Sequence, residues 1–115
     1  MATIVYFVKD LLFSSKIRET AGQVGVDVEP FRDPVQLAAA AKTAKLVIID
    51  LRLPEAMRAL ELIAADPDAK NVSSVGFIDH EKVDLMEQAS AKGCKKVLAK
   101  GRFTSELPAL VAELV

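Results

Sequence analysis

One short apolar segment constrains the fold of this chain more than any other feature. Leu46 to Ile49 contains only branched apolar residues and is followed at once by Asp50. The segment is too short to cross a membrane and too uniformly apolar for a half-exposed strand, so it predicts a strand that is buried on both faces. Because an unpaired buried carboxylate costs several kcal/mol, we expect Asp50 at the rim of the core with cationic or hydrogen-bonding neighbours.

The length and composition fit one domain spanning residues 1–115. The 15 Lys and Arg residues nearly balance the 16 Asp and Glu residues, which argues against a nucleic-acid or anionic membrane surface. Cys94 is the only cysteine, so an intramolecular disulfide and a zinc site made of several thiolates are excluded. The N-terminal segment lacks the features of a signal peptide. We therefore expect a cytoplasmic protein.

Apolar segments alternate with amphipathic helical patterns along the whole chain. Strands are predicted at 3–8, 24–28, 46–49, 72–78 and 97–99, and helices at 11–21, 33–44, 55–65, 81–92 and from Thr104 or Ser105 onward. The short links suit right-handed crossovers between parallel strands. Since the first and third strands are fully apolar, we expect a flavodoxin-like, doubly wound α/β fold with strand order 2-1-3-4-5 and five helices on both faces.

Charged residues follow most of these strands, at the edge of the sheet where the carboxyl ends of parallel strands meet. The charged residues are Lys9, Asp10, Asp50, Asp79 and Lys100, and one histidine, His80, lies among them. Two carboxylates from neighbouring strands are suited to hold Mg²⁺, and a lysine beside them can balance an anion. The sequence therefore predicts a charged crevice at this edge.

Two motifs resemble those of the receiver domains of bacterial two-component response regulators. The first runs from Val47 to Pro54 and matches the family's apolar strand, phosphoacceptor aspartate and following Leu-x-Leu-Pro. The second comprises 91–93 and 97–100, an Ala-x-Gly turn and a strand ending in lysine. By this resemblance Asp50 would accept a phosphoryl group, Asp10 and Asp50 would bind Mg²⁺, and Lys100 would contact the phosphoryl oxygens.

The chain also departs from the pattern of that family. Lys9 stands where the first residue of an acidic pair is expected, which would weaken the binding of Mg²⁺. Ile78 or Asp79 replaces the Thr or Ser that ends the fourth strand, and Val97 replaces an aromatic residue of the fifth. These differences indicate an atypical receiver or pseudo-receiver.

Two interpretations of Asp50 stay open on these grounds. It is either a phosphoacceptor or a carboxylate paired permanently with Lys9 or Lys100. His80 stands without another His or Cys nearby and is interpreted as a helix-capping or solvent-facing residue.

The leading hypothesis for function is a stand-alone, non-enzymatic signalling protein without an output domain. It would bind a protein partner, either a histidine kinase or a downstream effector, and would be regulated by phosphorylation of Asp50. The alternative is a flavodoxin-like domain that binds a small ligand or acts as an enzyme, with Asp79 and His80 as acid or base. A third hypothesis is a homodimer formed by the last helix and an edge strand.

Overall fold

The computed structural model describes residues 2–115 and shows strands and helices in strict alternation. The strands are β1 (Ile4–Phe7), β2 (Val28–Pro30), β3 (Leu46–Asp50), β4 (Ser73–Ile78) and β5 (Lys96–Ala99). The helices are α1 (Leu11–Gln23), α2 (Pro34–Ala41), α3 (Ala56–Ala65), α4 (Val83–Ala91) and α5 (Lys100–Ala112). The strands form one parallel sheet in the order β2-β1-β3-β4-β5, which confirms the predicted fold class.

The sheet separates two apolar cores, one beneath each layer of helices. Along β3, Val47 and Ile49 face the core covered by α2, α3 and α4, whereas Leu46 and Ile48 face the core covered by α1 and α5. This alternation follows from the two-residue period of a strand. The four apolar residues of β3 are buried, as the sequence predicts, and Asp50 at its end is buried as well. The central strand therefore holds Asp50 at the end of a rigid element.

Several local signals act as the sequence predicts. The Asp33 side chain accepts a hydrogen bond from the Val35 amide at the start of α2, where Pro34 takes the first helical position. Gly93 follows α4 with φ of 100°, a conformation that favours glycine. The buried residues of α3 form the predicted apolar stripe: Ala56, Ala59, Leu60 and Ile63.

The second strand lies further along the chain than its alternating valines predict. Val24 is the C-cap of α1: its amide donates to the carbonyl of Ala21, and the amide of Gly25 donates to that of Gly22. Gly25 then turns the chain with φ of 73°, so that pairing with β1 begins only at Val28. Val24, which the alternating pattern assigned to the strand, therefore belongs to the end of α1.

The predicted start of the last helix is wrong as well. α5 begins at Lys100, directly after β5, and Ala99 at its N-cap provides no side-chain hydrogen bond. The hydroxyl of Thr104 instead donates to the Lys100 carbonyl inside the helix, and that of Ser105 donates to the Arg102 carbonyl. The consequence is that Lys100 lies at a strand-to-helix junction. No helix within residues 2–115 is long and apolar enough to cross a bilayer.

Replacing Gly76 of β4 with alanine is expected to lower the free energy of unfolding by about 1–3 kcal/mol. A Cβ at this position would lie 2.9 Å from both Cγ and Cδ1 of Leu51. Leu51 is buried directly after Asp50, so it has little room to move. Urea unfolding followed by circular dichroism measures the change. Gly22→Ala is the control, because nothing lies within 4 Å of its added methyl group. Equal effects of the two substitutions would contradict this account.

Candidate functional site

The side chain of Asp50 is buried and bound by the residue two positions along the chain. Only 3% of its side chain is exposed. Arg52 donates from Nε to Oδ1 at 2.9 Å and from Nη2 to Oδ2 at 2.7 Å, and its backbone amide donates to Oδ1 at 3.0 Å. Bidentate pairs of this kind are among the strongest side-chain hydrogen bonds in proteins. The carboxylate is therefore deeper than the predicted rim position, but its charge is compensated.

Asp10 joins the same cluster from the neighbouring strand end. Its Oδ1 accepts hydrogen bonds from the amides of Leu12 and Phe13, at 2.8 and 3.3 Å, and so caps the start of α1. Its Oδ2 lies 3.3 Å from Nη2 of Arg52. The hydrogen bond from the Phe13 amide, together with those from Leu12 and Arg52, lowers the pKa of Asp10. One guanidinium nitrogen thus bridges two carboxylates.

Aromatic rings lie beneath the guanidinium of Arg52. Its central carbon is 5.4 Å from the ring centroid of Phe13 and 5.8 Å from that of Phe77. Phe77 stacks on Phe13 at 4.7 Å and on Phe103 at 4.5 Å, so the rings form a continuous group. Cation–π contacts of this type stabilise a partly desolvated arginine. The hydrogen bonds to Asp50 are the main reason that the pKa of Arg52 is raised, and the group keeps its charge.

A second ion pair lies at the ends of β4 and β5. Nζ of Lys100 is 2.7 Å from Oδ1 of Asp79. This hydrogen bond lowers the pKa of Asp79, and the charges of Lys100 and Arg52 act in the same direction. Asp79 is therefore a carboxylate at neutral pH and a poor general acid. Ile78 is buried in the core covered by α2, α3 and α4, while His80 is exposed.

The expected pairing of Asp50 with Lys9 or Lys100 is wrong. Lys100 binds Asp79, and the ammonium of Lys9 lies 5.7 Å from the centroid of the Phe7 ring. Lys9 forms no ion pair with any residue from 2 to 115. The cation that fills this role is Arg52, which our reading of the sequence did not select. Its position between Leu51 and Leu53, two residues after the aspartate, marks it as a candidate partner of Asp50 but does not show where its side chain lies.

As arranged here, the carboxylates do not fit Mg²⁺. A divalent cation needs free oxygen atoms that converge on one point, but those of Asp10 and Asp50 face the guanidinium of Arg52. Within residues 2–115 no group of three or more His, Cys, Asp or Glu side chains is placed to hold a metal ion. The structure therefore brings Asp10 and Asp50 together, as the sequence predicts, but around an organic cation.

Comparison of the sequence with protein-family models and with curated proteins finds no match. Solved structures, in contrast, match over the whole chain. A response regulator from Hahella chejuensis superimposes with a TM-score of 0.81 at 17% identity, covering 100% of this chain and 96% of that one. The chemotaxis response regulator CheY4 of Vibrio cholerae gives a TM-score of 0.78 at 16% identity and covers 100% of this chain and 99% of its own.

A third matching structure contains a metal. The receiver domain of a sensor histidine kinase from Pseudomonas aeruginosa, with a magnesium ion coordinated in its active-site cleft, gives a TM-score of 0.79 at 19% identity. That match covers 98% of this chain and 96% of the other. The chain therefore has the fold of response-regulator receiver domains.

Proposed function

We propose that this protein, which has the fold of a receiver domain, is a stand-alone signalling module whose binding to a protein partner is regulated by phosphorylation of Asp50. The observation that carries the proposal is the position of Asp50. A buried carboxylate ends the central strand and binds the guanidinium of Arg52, and a second cation, Lys100, pairs with Asp79 at the ends of the neighbouring strands β4 and β5. Apart from its hydrogen bonds to Arg52, the carboxylate of Asp50 has no structural role within residues 2–115. An apolar residue at this position would avoid the free-energy cost of burying a charge.

The geometry is compatible with attack of Asp50 on a phosphorus atom. Oδ1 accepts two hydrogen bonds from Arg52, whereas Oδ2 accepts one and keeps a free lone pair. Oδ2 would form the bond to phosphorus while the leaving group of the donor, acetate or a histidine side chain, departs with its electron pair. The acyl phosphate carries added negative charge, which Arg52 would stabilise from its place at the carboxylate, and Lys100 is proposed as the second cation.

Three further residues are proposed to modify this pocket. Ile78 and Asp79 supply no hydroxyl that could bind a phosphoryl group. In place of a hydroxyl, Lys100 would respond to phosphorylation by leaving Asp79 and binding the phosphoryl oxygens. Lys9 contributes a positive charge at the rim without binding a carboxylate of residues 2–115. A signal from Asp50 would therefore travel through exchange of ion pairs and not through rotation of a hydroxyl group.

The partner in this proposal is a cytoplasmic protein, either a histidine kinase or a downstream effector. The side chains of Leu11 and Leu12 begin α1 beside the pocket and are 80% and 63% exposed. Adjacent exposed leucines are more typical of a protein contact than of a nucleic-acid surface, and the net charge of −1 agrees with this. The first turn of α1, which Asp10 of the pocket caps, is thus a surface that suits a protein partner.

The wild-type protein is expected to gain one phosphoryl group when it is incubated with acetyl phosphate. Intact-mass spectrometry detects the product, and alkaline hydroxylamine should remove it because it is an acyl phosphate. Asp50→Asn should abolish the gain. Asp79→Asn is the matched control, because it changes another carboxylate of the pocket and leaves the nucleophile in place. A wild-type protein without any mass gain would contradict phosphorylation and leave a phosphorylation-independent adaptor.

A further inference from the structure

We propose that Arg52 is the resident cation of this pocket and excludes divalent metal ions, so that loss of its guanidinium turns Asp10 and Asp50 into a Mg²⁺ site. The inference concerns the same pocket as the proposed function and rests on it only for its biological meaning. Metal binding itself can be measured without any phosphoryl transfer.

The position of one nitrogen atom carries the argument. Nη2 of Arg52 lies 2.7 Å from Oδ2 of Asp50 and 3.3 Å from Oδ2 of Asp10. A Mg²⁺ ion that bridged these carboxylates would need both oxygens at about 2.0–2.1 Å, within the volume that the nitrogen fills. The guanidinium and the metal therefore cannot bind together. A metal ion can reach the two carboxylates only after the side chain of Arg52 has moved away from them.

Several contacts oppose that departure. Arg52 would lose its two side-chain bonds to Asp50, its bond to Asp10 and its position over the rings of Phe13 and Phe77. Its backbone amide also donates to Asp50, which holds the backbone of Arg52 next to the carboxylate. Mg²⁺ must in addition give up tightly held water. A tethered arginine thus competes at a high effective concentration against a strongly hydrated ion.

The charges predict what happens when the guanidinium is removed. Asp10, Asp50 and Arg52 together carry a net charge of −1, and the neighbouring pair of Lys100 and Asp79 is neutral. Without the guanidinium, the two carboxylates at neighbouring strand ends keep a charge of −2, and each loses the partner, Nη2 of Arg52, that its Oδ2 now contacts. Two carboxylates plus water are a common Mg²⁺ ligand set. Asp10 and Asp50 would therefore be able to bind Mg²⁺ once the guanidinium of Arg52 is removed.

The test is a titration of ¹⁵N-labelled wild type and Arg52→Gln with Mg²⁺ alone, followed by the backbone amide resonances of Asp10, Asp50 and Leu51. In Arg52→Gln we expect saturable shifts confined to this pocket and an affinity for Mg²⁺ at least about tenfold higher than in the wild type. Adding Asp10→Asn to Arg52→Gln should abolish the gain. Arg58→Gln, which changes an exposed arginine of α3, should behave as wild type.

Arg52→Lys is the second variant, in case the glutamine protein does not fold. It keeps a positive charge but cannot form the bidentate bond, so its affinity for Mg²⁺ should lie between those of the wild type and Arg52→Gln. Pocket-specific binding of Mg²⁺ to the wild type as tight as to the Arg52 variants would overturn the inference. Absence of binding in both folded variants would overturn it too. A failure of phosphorylation at Asp50 would leave these titrations unchanged and would count against the proposed function alone.

Discussion

Replacing Phe77 with alanine is expected to lower the free energy of unfolding by about 3–5 kcal/mol. The substitution removes a fully buried ring and leaves a cavity in the core. The ring stacks on Phe13 and on Phe103, with centroid distances of 4.7 and 4.5 Å. Such aromatic pairs contribute about 0.5–1.5 kcal/mol each beyond the buried area. Chemical denaturation followed by circular dichroism measures the loss.

The same substitution should also loosen Arg52, whose guanidinium lies over the Phe77 ring. Phe7→Ala is the matched control, since Phe7 is equally buried but belongs to the opposite core. Both variants should lose comparable stability, but only Phe77→Ala should change the amide resonances of Asp50 and Arg52. If both variants perturbed those resonances, or if neither did, the stacked rings would not be what holds Arg52 in place.

Replacing Arg52 with glutamine is expected to cost about 3 kcal/mol of stability, because it leaves the Asp50 carboxylate buried without its cation. Asp50→Asn should cost less, since Arg52 is 30% exposed and keeps Asp10 as a partner. The double variant should then lose about 1.5–3 kcal/mol less than the sum of the single losses. Urea unfolding of the wild type and the three variants completes this thermodynamic cycle.

A surface ion pair provides the comparison for that cycle. Arg102 binds Glu106 one helical turn away, but 71% of the arginine side chain is exposed. Its removal should have no measurable effect, as is usual for exposed pairs. If the Asp50 and Arg52 substitutions were simply additive, the pair would contribute nothing through mutual contact, and the description of Arg52 as a fixed counter-ion would be wrong.

The sequence predicted the central part of the fold because local pattern and final burial agree there. β3 is a continuous branched segment, and the buried stripe of α3 follows helical spacing, so neither depends on distant contacts. At β2 the two levels disagree. Val24 fits both the end of a helix and the start of a strand, and the cap that it forms on α1 decides the outcome. An edge strand of three residues leaves little pattern to detect.

The site was harder to predict than the fold. The two-residue period of the strands does show to which face of the sheet some of its residues point. Lys9 follows Phe7 by two positions, and both therefore belong to the face covered by α2 and α3. Asp50 has the same parity as Ile48, which points to the opposite face. The parity of the two residues thus argues against a direct ion pair between Lys9 and Asp50, although both follow the carboxyl-terminal ends of neighbouring strands.

Arg52 could not be placed by the same reasoning. It lies in the turn after β3, where the two-residue period ends and the direction of a side chain depends on the local backbone. The bonds of the guanidinium to Asp50 are local, but its contacts with Asp10 and with the aromatic rings join residues more than twenty positions apart. Interactions of this range have no local signature in a sequence.

The carboxylate of Asp10 has two tasks, since one oxygen caps α1 and the other binds Arg52. Movement of this side chain toward a new cation would withdraw the acceptor from the amides of Leu12 and Phe13. Opening of the pocket and fraying of the first helical turn would then be one event, because the two acceptor oxygens belong to the same carboxylate. The chemical state of the pocket would thereby change the order of the turn that carries the exposed Leu11.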